Sequence, residues 1–323
     1  MGKEGRIRRC ILNFCSYLLT LVLLLVVFAY MMPEGHFDML KRFSAWDMGV
    51  MFFLSLGGYL GNGLEYYQMS SKIGFSMDRR DILFLPLGMN LAGTLLPIQG
   101  AMAYQLFFFK KKYGVAICHG MAITGFLYLL TMSIGGIAGI VIFAMDTSIT
   151  GYFLAVSILF AMSPLLAMGM LFCLRRIHVK WSLLNRLSGF VCAVLDDIAI
   201  LLKDIRTVVI LVVIYLLRLL SMVILFAWIA RCLGYEVSFL ALLLLNLWNM
   251  LSLLLKVTPN NLGISQLVSG AMFAMISLPK EQGVMISFVA TLVCLPMAFV
   301  FGSLAVGIGL WEISARASAN AGK

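Results

Sequence analysis

"LLLKVTPNNLGISQLVSG", residues 253–270, is the stretch on which the fold turns. Apolar sequence flanks it on both sides, yet it carries Lys256, Thr258, Pro259, Asn260, Asn261 and Gly263. The chain around it is 62% hydrophobic and only 12% charged, where a soluble domain carries about 25% charged residues. Several apolar runs exceed the roughly 20 residues that a helix needs to cross a bilayer. A proline inside such a run removes a helical N–H and clashes with the preceding turn. Backbone freed in this way persists at membrane depth only where protein or a watery cavity satisfies it. The stretch therefore reads as the tip of a helical hairpin over 239–278, hinged at Thr258, Pro259 and Gly263.

Working outward, a second apolar region has the same character. "ILFLPLGMNLAGTLLPIQGAMAYQLFFF", residues 82–109, holds Pro97 and Gly100 at its break and Gln99 as the polar side chain of the tip. Uninterrupted spans are expected over 11–32, 48–70, 115–145, 150–174, 206–231 and 283–310. The first follows "MGKEGRIRRC" and is too long for a signal h-region, so it reads as a retained helix. The longest stretch that does not span is about 175–206, which leaves no room for a large catalytic domain within these residues.

Charge separates hairpins from single crossings. With both regions as hairpins and a cytoplasmic N-terminus, the four basic residues before Cys10, Lys72, Arg79, Arg80, Lys110–Lys112, the six from Arg175 to Arg206, Arg316 and Lys323 lie inside. Only Lys41, Arg42, Arg231 and Lys280 lie outside, while Arg218 and Lys256 stay in the membrane. With single crossings the "KKK" at 110–112 and the basic 175–206 segment move outside. The positive-inside rule selects the hairpins. The expectation is an all-α polytopic membrane protein. It has six full spans and two re-entrant hairpins that enter from opposite faces, an inverted-repeat arrangement. Both termini are cytoplasmic. The whole forms a single transmembrane domain, with a first half 1–174, an interfacial segment 175–206 and a second half 207–323. The net charge of +10 then belongs to cytoplasmic loops and not to nucleic acid. Within 181–205, Leu184, Leu187, Val191, Val194, Ile198, Leu201 and Ile205 recur at helical spacing, an amphipathic helix suited to the interface.

Few residues carry chemistry. Paired broken helices are a sequence pointer to a transport site. Arg218 sits mid-span, where a charge costs about 2.5–3.5 kcal/mol on insertion scales and therefore faces a cavity or a partner. It binds a lipid phosphate or pairs with Glu65 of "GNGLEYYQ". Lys256 either reaches a phosphate at the tip or snorkels along the hairpin. Asn260 and Asn261 cap the returning helix or touch a ligand. The candidate binding set is Arg218, Lys256, Asn260, Asn261, Gln99 and Glu65. The seven cysteines and three histidines show no ligand spacing, so no metal, cofactor or catalytic residue is expected. Asp196-Asp197 is a lone acidic pair at the interface.

"LLPIQGAMAYQLFFFKKKYGV" (95–115) and "GYEVSFLALLLLNLWNMLSLLLKVTPNNLGISQ" (234–266) resemble the two signatures of the lysylphosphatidylglycerol synthase transmembrane region, a flippase-like domain family. That family includes the membrane half of the bacterial multiple peptide resistance factor. Pro97, Pro259, Leu262 and Gly263 match the pattern. Met102 and Gln105 stand where it has Glu and Arg, Gln266 where it has Glu, and Ile98 and Asn260 where it has Gly. The resemblance implies a bacterial cytoplasmic-membrane protein that moves an anionic or aminoacylated phospholipid, such as lysyl-phosphatidylglycerol, or a lipid-linked sugar. Two alternatives stand beside it. One is a phosphatidylglycerol lysyltransferase-type role in lipid modification and cationic peptide resistance. The other is a non-transporting membrane partner of a glycosyltransferase. Membrane lipids, a second copy or a membrane enzyme are the expected partners.

Overall fold

The computed structural model describes residues 41–96, 99–145, 151–166, 182–252 and 258–321, together with Val22 and Gly169. The expected span 11–32 therefore lies outside the described residues, as do Pro97 and Lys256. Every regular element among the described residues is helical. The helices are α1 (Ala45–Ser70), α2 (Asp81–Leu95), α3 (Gly100–Tyr113), α4 (Ile117–Met145), α5 (Gly151–Ala161), α6 (Ser182–Lys203) and α7 (Ile205–Leu233). They continue with α8 (Phe239–Ser252), α9 (Ile264–Met275), α10 (Lys280–Met297) and α11 (Ser303–Ala321).

Among the described residues three stretches are long and apolar enough to cross a membrane: Ile117–Ala144, Ile205–Leu233 and Lys280–Glu312. The 29 residues of α7 make a rod of about 43 Å, against a hydrocarbon core of about 30 Å. The third stretch contains Pro296 and, just after it, a π-helical turn at Ala298–Gly302. A proline and a π-bulge together are an ordinary cause of a helix irregularity. α1 covers the expected 48–70 as one 26-residue helix.

Both broken regions fold as helix–break–helix. α2 ends at Leu95 and α3 begins at Gly100. A Cβ on Gly88 would meet the Tyr104 ring at 2.6 Å, and one on Gly100 would stand 2.5 Å from the Ala92 carbonyl oxygen. The two helices thus turn back on each other with small residues at the crossing. A 3-10 turn at Pro259–Asn261 precedes α9. Ser269 Oγ on α9 donates to Asn249 Oδ1 on α8 at 3.0 Å.

The chain divides into two compact units. The first comprises residues 1–59, 87–104 and 219–305, and holds both hairpin breaks. Within it Ser221 Oγ on α7 donates to the Leu54 carbonyl on α1 at 2.8 Å. The second comprises residues 60–86, 105–218 and 306–323. Within it Pro86, inside α2, lacks the N–H that would bond Ile82 four residues back. The Ile82 carbonyl oxygen lies against Gly63, where a Cβ would stand only 1.5 Å away. Only glycine fits that crossing. The amphipathic α6 turns Ile198 and Leu201 inward and leaves Ile200 and Leu202 exposed. Asp204 ends α6 and caps α7, accepting from the Thr207 N–H at 3.4 Å and its hydroxyl at 2.9 Å.

Candidate functional site

In the second unit, two of the isolated charges of the apolar sequence, Glu65 and Arg218, come together. α1 carries Gly61 and Glu65 one turn apart, hence on one face. α7 presents Arg218 to that face: a Cβ on Gly61 would stand 2.8 Å from Arg218 Cβ and 3.1 Å from its Cγ. The absent side chain at Gly61 lets the arginine stem lie flat on α1. Arg218 Nε then stands 3.3 Å from Glu65 Oε1, and the guanidinium carbon lies 5.2 Å from the centre of the Tyr215 ring. The Glu65 side chain is 1% exposed and that of Arg218 20%. Neither Glu65 oxygen accepts a hydrogen bond among the described residues. The pair is therefore held by charge and not by the bidentate fork that Arg and carboxylate usually make.

Beside it lies a neutral polar knot. Gln105 is fully buried. Its Oε1 accepts from the Thr124 hydroxyl at 2.9 Å and the Tyr66 hydroxyl at 3.3 Å. Its Nε2 donates to the Gly120 carbonyl at 3.5 Å.

At the end of the same hairpin the structure builds a charge cluster that sequence reasoning missed. Lys110 and Lys111 are exposed, but Lys112 is buried. Its Nζ lies 2.8 Å from Asp81, 2.5 Å from Glu312 and 3.6 Å from Asp78. The Tyr113 hydroxyl also donates to Asp81. Burial works against the Lys112 charge, but hydrogen bonds to Asp81 and Glu312 outweigh it and hold its pKa above the ordinary lysine value. Nearby on α4, His119 Nδ1 is 2.5 Å from Asp197 on α6. Asp204 is drawn down to about 2, chiefly by the Lys72 ammonium 2.5 Å away and then by the Thr207 hydroxyl.

In the first unit, the 253–270 break is resolved by side chains at its edge. Thr258 and Pro259 are buried, and Thr258 Oγ1 donates to the Leu262 carbonyl at 2.9 Å. Asn261 takes a left-handed φ of 60° and Gly263 a φ of 83°. Gln266 Oε1 accepts from the Gly263 N–H at 2.7 Å, the return half of a capping box. Its Nε2 donates to Thr291 Oγ1 on α10 at 3.1 Å. The Thr291 hydroxyl in turn donates to the Ser287 carbonyl at 2.8 Å. At the other break Gln99 has φ 64°, and its carbonyl accepts from the Ala103 N–H at 3.0 Å.

The expected binding set is therefore placed unevenly. Glu65 and Arg218 meet. Gln99 and Asn261 shape turns through their backbones. Pro97, Lys256 and the Asn260 side chain lie outside the described residues. Asp197, of the acidic pair Asp196-Asp197, gains a histidine. Lys112, Asp81 and Glu312 were legible only as separate charges.

A family model described as "Lysylphosphatidylglycerol synthase TM region" matches residues 13–302. Neither the curated proteins nor the solved structures give a significant match.

Proposed function

This chain belongs to the lysylphosphatidylglycerol synthase TM region family, and from that premise we propose that it moves lipid between membrane leaflets. The substrate is an anionic or aminoacylated phospholipid such as lysyl-phosphatidylglycerol, or a lipid-linked sugar. In this reading the protein crosses a bacterial cytoplasmic membrane six times with two re-entrant hairpins, and both termini are cytoplasmic. The observation that carries the reading is Arg218. It sits at the middle of a 29-residue apolar helix, keeps a 20% exposed side chain, and meets Glu65 only through Nε. Among the described residues Glu65 takes no hydrogen bond from it, which leaves the guanidinium N–H donors to hold a phosphate. A headgroup engaged there travels through a polar path while its tails stay in lipid.

The test is exposure of lysyl-phosphatidylglycerol in cells. An enzyme that makes this lipid is expressed in a host that lacks it, with and without the present chain. An impermeant amine reagent then labels the outer leaflet. Labelling rises with the wild-type chain and falls back in Arg218→Ala. Equal labelling with and without the chain contradicts the reading. Gln105 and Gln266 favour a second reading, since both amides are consumed by internal hydrogen bonds at positions where the resembled pattern has charges. A membrane partner of a glycosyltransferase needs no charged path, and co-purification of such an enzyme without lipid movement supports it.

A further inference from the structure

We propose that Glu65 is a proton-accepting counter-ion that competes with a lipid phosphate for Arg218, so that loading of an anionic lipid takes up a proton. This rests on the translocase reading and supplies its missing coupling.

The geometry makes the competition. Glu65 is 1% exposed, and among the described residues it accepts no hydrogen bond and has one cationic neighbour, Arg218, at 3.3 Å. The groups facing it are few. Arg218 and Tyr215 approach from α7, and Tyr66 follows it on α1. Tyr66 in turn faces Tyr128 on α4, and its hydroxyl points at Gln105 on α3. None of these besides Arg218 brings a positive charge. A carboxylate this deeply buried is tolerated while the guanidinium balances it. When a phosphate takes that guanidinium, two anions share one cation in a water-poor place. Like charges at one site cannot both stay ionised, and one of them takes a proton. A phosphodiester remains anionic at neutral pH, so the proton goes to a Glu65 oxygen. The exchange balances: a proton from water and an anionic headgroup enter together, and both leave together.

The test is proton uptake on binding, measured with the full-length chain in detergent and a pH indicator in weak buffer. The probe is short-chain phosphatidylglycerol, with diacylglycerol as the uncharged control. Binding is expected to take up close to one proton per phosphatidylglycerol. Its Kd should fall about tenfold for each pH unit of acidification while Glu65 is ionised. Diacylglycerol should take up none. Glu65→Gln, which removes the competitor, should bind more tightly, take up no proton and show a flat pH profile. Binding without proton uptake, uptake unchanged in Glu65→Gln, or no binding of phosphatidylglycerol overturns the proposal. The wild-type pH slope decides the matter even if the variant folds poorly. Proton-linked binding in a protein that moves no lipid in vesicles would leave this proposal standing and defeat the translocase reading alone.

Discussion

Gly61 and Arg218 are in contact through an absence: a Cβ on Gly61 would fall 2.8 Å from the Arg218 Cβ. Real Cβ atoms do not approach so closely. Gly61→Ala must therefore push α7 away or turn the arginine stem. Overpacking of this kind costs about 1–3 kcal/mol. It also separates Arg218 from Glu65, one turn further along α1. The expected result is a lower thermal midpoint in detergent and a loss of anionic-lipid binding. Normal binding with the Ala side chain in place would show that the close approach is not needed.

Lys112 is the hub of three carboxylates. Lys112→Met leaves Asp81, whose side chain is 2% exposed, facing Glu312 without a cation. Breaking a buried pair by removing one partner costs about 3–5 kcal/mol. Adding Asp81→Asn to that variant should recover part of the loss, and a double-mutant cycle over thermal unfolding reads the coupling. Additive losses would mean that the pair contributes nothing beyond its separate desolvation.

Gln266 is better suited to its place than the Glu of the resembled signature. Its amide donates to Thr291 while its oxygen accepts from Gly263, and the Thr291 hydrogen is already committed to Ser287. A carboxylate at 266 has no donor for Thr291. Gln266→Glu is expected to lose about 1–3 kcal/mol at neutral pH. Protonation restores the donor, so the loss should shrink in acid. Equal thermal midpoints at pH 7 would contradict the hydrogen-bond assignment.

Asp204 ties the end of α6 to Lys72, just past the end of α1. Its pKa lies near 2 when folded, against an ordinary 3.8. A depressed carboxylate stabilises the fold above its unfolded value and loses that contribution as pH falls through the folded one. The difference between wild type and Asp204→Asn should therefore be constant above about pH 5 and vanish only as pH falls below about 2. A difference that persists there would assign the effect to the α7 cap and not to the charge.

The breaks were legible because Pro97 and Pro259 stand in apolar runs beside polar residues and glycine; proline alone does not decide it, since Pro86 and Pro296 lie inside helices. The Glu65–Arg218 pair was legible for a related reason: each is a charge without a polar neighbourhood, and such charges seek each other. Lys112 was not legible. "KKK" reads as one cytoplasmic run, and only helical phase turns its last member inward, toward Asp81 and Glu312 far off in the chain. His119 and Asp197 likewise share no spacing, since the fold of α6 onto α4 brings them together. The glutamines at 105 and 266 read as losses against the charges of the resembled signatures. Their reason is visible only with their partners, because an amide both donates and accepts where a single charge does not.

Lipid movement in proteoliposomes tests the central claim most directly. Headgroup-labelled phosphatidylglycerol, its lysyl ester and a neutral control are reconstituted with the protein, and the outer leaflet is quenched. The account predicts quenching beyond the outer-leaflet share for an anionic or aminoacylated lipid with the wild-type chain, and a return to that share in Arg218→Ala. Quenching that stops at the outer leaflet for every lipid, with well-folded protein, would contradict it.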